Sequence, residues 1–126
     1  MILDILADEP RIRPERVLID HVEEHTIEPA LQAGCWVGMT LYPVTKCTPQ
    51  RAVDMIERYG RERIMANSAA DWGESDPMNM PDFIRALRAR GYSACDVHKI
   101  AYDNPLRFFS QAKRFNFDPP LTPSAE

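Results

Sequence analysis

Residues 17–26 read VLIDHVEEHT, and the fold turns on how this stretch is read. His21, Glu24 and His25 spell H-x-x-E-H, a zinc-binding spacing when the run lies on a helix and both rings face one ion. The flanking residues argue otherwise. Val17, Leu18 and Ile19 form a short apolar run without alternation, the pattern of a strand buried on both faces. Thr26 is placed to cap a helix over Ile27–Ala33, stopped by Gly34. His21 then ends a strand and His25 sits in the following loop, so the two rings need not share a face. No separate third-ligand motif accompanies them, and the helical zinc-protease reading is set aside on these grounds.

The same alternation continues along the chain. Cys35 to Tyr42 (CWVGMTLY) is a second apolar, β-prone run ended by Pro43. Thr48-Pro49 is a cap followed by proline at the first helical position. Ala52, Val53, Ile56 and Tyr59 recur at helical spacing, and Gly60 stops that helix. Arg63 to Asn67 (RIMAN) reads as a third short strand, followed by a long polar loop from Ser68 to Asn79. Pro81 is expected to open a helix with Phe83, Ile84 and Leu87 inward, ending at Gly91. Ser93 and Asp96 form a capping-box pair for a helix through Tyr102. Asn104-Pro105 is expected to start a last short helix carrying Leu106, Phe108 and Phe109. Before the first strand, Ile2, Leu3, Ile5 and Leu6 give a short apolar helical face broken by Pro10 and Pro14. Strands alternating with helices imply an α/β fold with a parallel sheet or barrel.

The totals set bounds. A chain of 126 residues makes one compact domain. A net charge of −4 argues against broad nucleic-acid binding, although a local basic patch can still hold phosphate. No apolar run is long enough for a membrane span and the N-terminus does not read as a signal peptide, so a cytoplasmic location is expected. Cys35, Cys47 and Cys95 contain no C-x-x-C pair and are expected to be buried free thiols in a reducing compartment. Residues 116–126 (NFDPPLTPSAE) form a Pro-rich tail expected to be disordered, leaving 1–115 as the folded unit.

In α/β barrels, functional side chains collect at the C-terminal ends of strands. Here these ends carry Asp20-His21, then Thr40-Leu41-Tyr42, then RIMANSAAD with Asp71 and Trp72. Imidazole and carboxylate are both ligands for zinc and similar divalent ions. Trp72 and Tyr42 are candidates to wall a pocket, and Lys46 is read as a solvated surface lysine. His25 is read as a loop residue. His98, beside Val97 and Ile100 on an expected helix, is read as structural or exposed.

The ordered set VLIDH (His21), ALQAGCWVGMTLY and RIMANSAADW (Asp71), closed by PDFIRALRARGYS and VHKIAYDNPLRFF, resembles the last part of the TatD-like metal-dependent hydrolases of the amidohydrolase superfamily. The resemblance covers residues 1–115. It implies the C-terminal part, about the last three β/α units, of a (β/α)8 TIM-type barrel with terminal helices. It implies a divalent metal cofactor (zinc, magnesium or manganese) held by His21 and Asp71. Asp71 would also be catalytic, accepting the proton as a metal-bound hydroxide attacks an ester, amide or phosphodiester. The family also begins with an H-x-H pair, and adds a middle carboxylate or modified lysine and a further histidine; no H-x-H occurs in this sequence. The expected partner is therefore the missing N-terminal half of the barrel, or further copies in a homo-oligomer, with the chain inactive alone. The alternative expectation is a non-catalytic half-barrel that self-associates or complements another chain.

Overall fold

The computed structural model describes residues 2–42, 46–70 and 73–118. Within them, helix α1 (Ile2–Asp8) and a 3₁₀ turn (Pro14–Arg16) precede the first strand. Strands β1 (Leu18–Ile19), β2 (Trp36–Leu41) and β3 (Ile64–Ser68) are separated by helices α2 (Ile27–Gln32) and α3 (Pro49–Tyr59). Helix α4 (Asn79–Ala89) follows, then α5 (Ala94–His98), a π turn (Lys99–Asp103) and α6 (Asn104–Phe109). The three strands pair in parallel in the order β1-β2-β3. The α/β alternation and the parallel sheet are those expected from the sequence.

Two right-handed crossovers that step the same way along a sheet put their helices on one face. Side chains alternate across a strand, so β2 splits into two sets. Val37, Met39 and Leu41 join the apolar core with Ile27 and Ala30 of α2, Val53 and Ile56 of α3, Phe83 and Leu87 of α4, and Ile64 of β3. Trp36, Gly38 and Thr40 face the other way. On that second face Trp36 lies against Phe108 of α6, ring centroids 5.8 Å apart, and Thr40 meets Asp20. The candidate site's side chains Asp20 and Thr40 meet on this second face.

Local signals explain most of the boundaries. Thr48 Oγ1 accepts from Arg51 N at 3.3 Å, capping α3 ahead of Pro49. Gly60, with φ of 83°, ends it. Ser93 and Asp96 complete a reciprocal capping box on α5. Asn79, buried, donates from Nδ2 to Leu41 O at 3.2 Å and ties the start of α4 to the end of β2.

Other expectations are corrected. β1 holds two half-buried residues at the sheet edge rather than a strand buried on both faces. Thr26 does not cap α2 with its side chain; its Oγ1 instead accepts from Glu23 N and donates to Glu23 O, closing the preceding turn. α4 starts at Asn79, two residues before Pro81, because the first helical turn needs no N–H from that proline. No new cap starts α6: Asn104 N–H bonds Lys99 O five residues back, and the π turn carries α5 into α6 across Pro105. Of the apolar residues that α6 carries, Phe109 is 50% exposed. Cys35 and Cys47 are buried, and burial pushes the Cys47 thiol up to about 11, but Cys95 is exposed. Within the tail, residues 119–126 lie outside the described residues.

The turn into α6 is secured by one buried amide. Asn104 Nδ2 donates to Ile64 O at 2.6 Å and to Arg61 O at 2.8 Å, joining α6 to the start of β3. Asn104→Ala strands both carbonyls and is expected to lower unfolding free energy by about 2 kcal/mol in urea titrations. A loss below about 0.5 kcal/mol would mean water replaces the amide at no cost.

Candidate functional site at the strand ends

The site begins with a collision that glycine avoids. Gly38 lies in the middle of β2, and a Cβ built there would come within 2.3 Å of Asp20 Oδ1 and 3.0 Å of its Cγ. The missing side chain lets the Asp20 carboxylate lie flat over β2. There Oδ1 accepts from Thr40 Oγ1 at 3.1 Å and from Asn67 Nδ2 at 3.2 Å. One oxygen atom at the end of β1 thus collects donors from β2 and β3.

The next residue turns sharply. His21 has φ of 57°, the left-handed region, and among the described residues it is the non-glycine residue with positive φ. This conformation costs about 1 kcal/mol for an L-residue. The bond from Val22 N to Gly38 O, 3.0 Å, draws the chain back over β2 and holds the kink. The His21 imidazole is left 47% exposed and Asp20 37% exposed, with Nε2 3.9 Å from Asp20 Oδ2. Asp20, His21, Thr40, Asn67, Ala69 and Ala70 line an open depression of about 430 Å³. Backbone strain maintained at a polar depression points to function rather than packing.

His21 stands where the sequence places it, at the mouth formed by the strand ends. Asp71 and Trp72 lie outside the described residues. Tyr42 is buried, does not line the depression, and has the Lys46 ammonium 5.4 Å from its ring centroid. His98 is half exposed, with Nδ1 3.2 Å from Asp103 Oδ1, and lies far from the strand ends in sequence. The sequence places Asp20 at a strand end but does not show its contacts with Thr40 and Asn67. The available signal was Gly38, a glycine inside a strand pattern, which marks a close approach.

The H-x-x-E-H match is separated by the structure. Residues 21–26 are not helical. His21 lines the strand-end depression, whereas His25 lines an apolar groove of about 530 Å³ with Ile2, Leu3 and Ile19. Glu24 is engaged by Arg51, whose Nε and second guanidinium nitrogen donate at 2.9 and 2.6 Å. Arg51 also donates to Lys46 O, so the pair clamps the loop after β1 to the loop after β2.

The described donors meet part of what a metal needs. Asp20 Oδ1 is occupied by two hydrogen bonds, whereas among the described residues Oδ2 has only the His21 ring near it. An imidazole and a free carboxylate oxygen on one open face suit a divalent ion. A catalytic zinc takes three protein ligands, and no group of three His, Cys, Asp or Glu side chains occurs among the described residues. These residues fit part of a coordination shell.

No protein-family model and no solved structure matches the chain. Over 66 residues it is 33% identical to an uncharacterized metal-dependent hydrolase of Methanocaldococcus jannaschii. That match covers 52% of this chain and 26% of the relative, so the matched stretch spans about a quarter of the relative's length. No helix among the described residues is long and apolar enough to cross a membrane.

Two outcomes follow from this geometry. Gly38→Ala is expected to displace the Asp20 carboxylate and cost about 1–2 kcal/mol in denaturant unfolding. In an Asp20→Ala background the same change becomes neutral or slightly stabilising, because alanine is the better strand residue once the carboxylate is gone. Equal costs in the two backgrounds would contradict the close approach.

The clamp predicts a pH dependence. Hydrogen bonds from Arg51, helped by the Glu24 backbone N–H, hold the Glu24 carboxyl at about 2, below its usual 4.5. A depressed folded pKa contributes stability above the unfolded value, and that contribution is lost as pH falls through the folded one. The stability difference between the parent and Glu24→Gln should be constant above pH 4.5 and vanish towards pH 2. Both side chains are partly exposed, so solvent screening limits it to at most about 1 kcal/mol. A difference that persists unchanged at pH 2 would rule the clamp out as its source.

Proposed function

We infer that this chain carries strand-end residues of a metal-dependent hydrolase site of TatD-like type, on the closing units of a (β/α)8 barrel. The observation that carries the reading is the Asp20–His21 pair, fixed over Gly38 at the C-terminal ends of three parallel strands. Strand C-termini are where α/β barrels place their chemistry. The similarity to a metal-dependent hydrolase over 66 residues supports the hydrolase part of this reading.

In this reading His21 would hold the ion through its imidazole, and Asp20 would orient that imidazole or add a carboxylate donor. Asp71 is assigned the remaining donor position, and its carboxylate accepts the proton of the attacking water. A bound divalent ion supplies Lewis acidity, polarising the scissile group and acidifying water. Thr40 and Asn67 aim the Asp20 carboxylate by donating to Oδ1. The ester, amide or phosphodiester is admitted from the open side of the depression. With two described donors the ion is held weakly by this chain alone.

A second reading, a non-catalytic half-barrel that self-associates, is favoured by one feature. α1 buries none of its residues, its Ile2 and Ile5 are 62% and 60% exposed, and Ile2 shares a groove with Ile19 of β1, whose outer edge no described strand pairs. Apolar helices and bare strand edges invite a partner. Sedimentation shows whether copies associate.

Titration with zinc or manganese tests the leading reading. His21→Ala is expected to weaken the ion by about tenfold or more, the scale of losing a ligand or its support, while His25→Ala leaves affinity unchanged. Equal losses from both variants would restore the H-x-x-E-H reading, and no loss from His21→Ala would end the strand-end assignment.

A further inference from the structure

The opposite end of the sheet carries a second polar pocket that plays no part in this reading. Glu15, Trp36, Arg63, Arg107 and Gln111 line a pocket of about 460 Å³ below the N-terminal ends of β2 and β3. Trp36 and Thr40 lie about 13 Å apart along β2, at 3.3 Å per residue, so the pocket is separate from the strand-end depression.

The arginines divide into those with a carboxylate partner among the described residues and those without, and this pocket is lined by two of the second kind. Arg11, Arg13, Arg51, Arg61, Arg85 and Arg90 each pair with a carboxylate. Among the described residues, Arg63 and Arg107 pair with none. Arg63 spends one nitrogen on Gly34 O at 2.6 Å. Arg107 lies over the Trp36 ring, 6.0 Å from its centroid. A guanidinium over an indole is held by cation–π attraction, a contact that uses none of its N–H donors. The one acidic lining residue, Glu15, has its carboxylate bound to Arg13 at 2.6 Å. The Glu15 carbonyl is taken by Trp36 Nε1 and Gln111 Nε2, each at 3.1 Å. Arg16 adds a further cation nearby, donating to Gln111 O at 2.6 Å.

We propose that this pocket binds a phosphate group between the Arg63 and Arg107 guanidiniums. Planar N–H forks match tetrahedral oxyanions in pairs of hydrogen bonds, which a lysine in the same place would not supply. Two guanidiniums with no carboxylate partner among the described residues, beside an aromatic wall, attract an anion. The volume exceeds that of a bare phosphate and leaves room for a small group attached to it.

The Trp36 indole N–H reports on the pocket. Inorganic phosphate is titrated into the full chain at constant ionic strength maintained with sodium chloride, and that resonance is followed by NMR. A saturable shift is expected, weakened about tenfold by Arg107→Gln, the loss of one charge-assisted interaction. Arg107 is exposed and buries no core, so this variant stays folded. Arg63→Gln should weaken phosphate similarly. A parallel titration with ribose 5-phosphate identifies the source: tighter binding than phosphate assigns a phosphate ester, and equal binding assigns the free anion. A shift that never saturates, or one that persists in both variants, overturns the proposal.

Discussion

The Asp20 carboxylate resting on Gly38 is the constraint on which the strand ends depend. It draws Thr40 and Asn67 onto one oxygen atom and so ties the ends of three strands together. Without a side chain at 38 the carboxylate approaches the backbone closely; with one, it must leave. The kink at His21 follows directly, because the chain leaves Asp20 and returns to Gly38 O through Val22 N. The imidazole therefore projects at the mouth of the sheet instead of packing into the helical layer. A cost in backbone strain at His21 is offset by hydrogen bonds made on either side of it.

The two faces of the sheet divide the work. Val37, Met39 and Leu41 pack against α2, α3 and α4 and supply the apolar burial that holds the domain together. Gly38 and Thr40, alternating with them, build the polar mouth with Asp20 and Asn67. The Glu24–Arg51 pair then joins the loops that leave β1 and β2. The glutamate that completes the zinc-protease spelling is a loop clamp, which explains how the motif arises without its helix.

Features governed by nearby residues were legible in the sequence. Thr48-Pro49, Gly60 and the Ser93–Asp96 box act within a turn of helix, so their residue types alone announce them. The three strands and their parallel order were legible from apolar runs separated by helical periods. Burial of β1 was not, because it depends on what pairs with its outer edge, and no local pattern records that. The passage from α5 into α6 was hidden because a π turn absorbs the bond that Pro105 cannot make. In the site, the strand-end rule reached His21. It reached Asp20 too, but not the role of its carboxylate, because its partners Thr40 and Asn67 lie 20 and 47 residues away. Only the glycine in WVGMT hinted at the approach.

Manganese-induced relaxation of the backbone amides tests the strand-end metal assignment most directly, since it locates the ion without requiring a substrate. The account predicts that substoichiometric manganese broadens the amides around Asp20-His21, Thr40 and Asn67 first. Broadening that centres instead on Glu23, Glu24 and His25, or that spreads over the acidic surface with no preference for the strand ends, would contradict it.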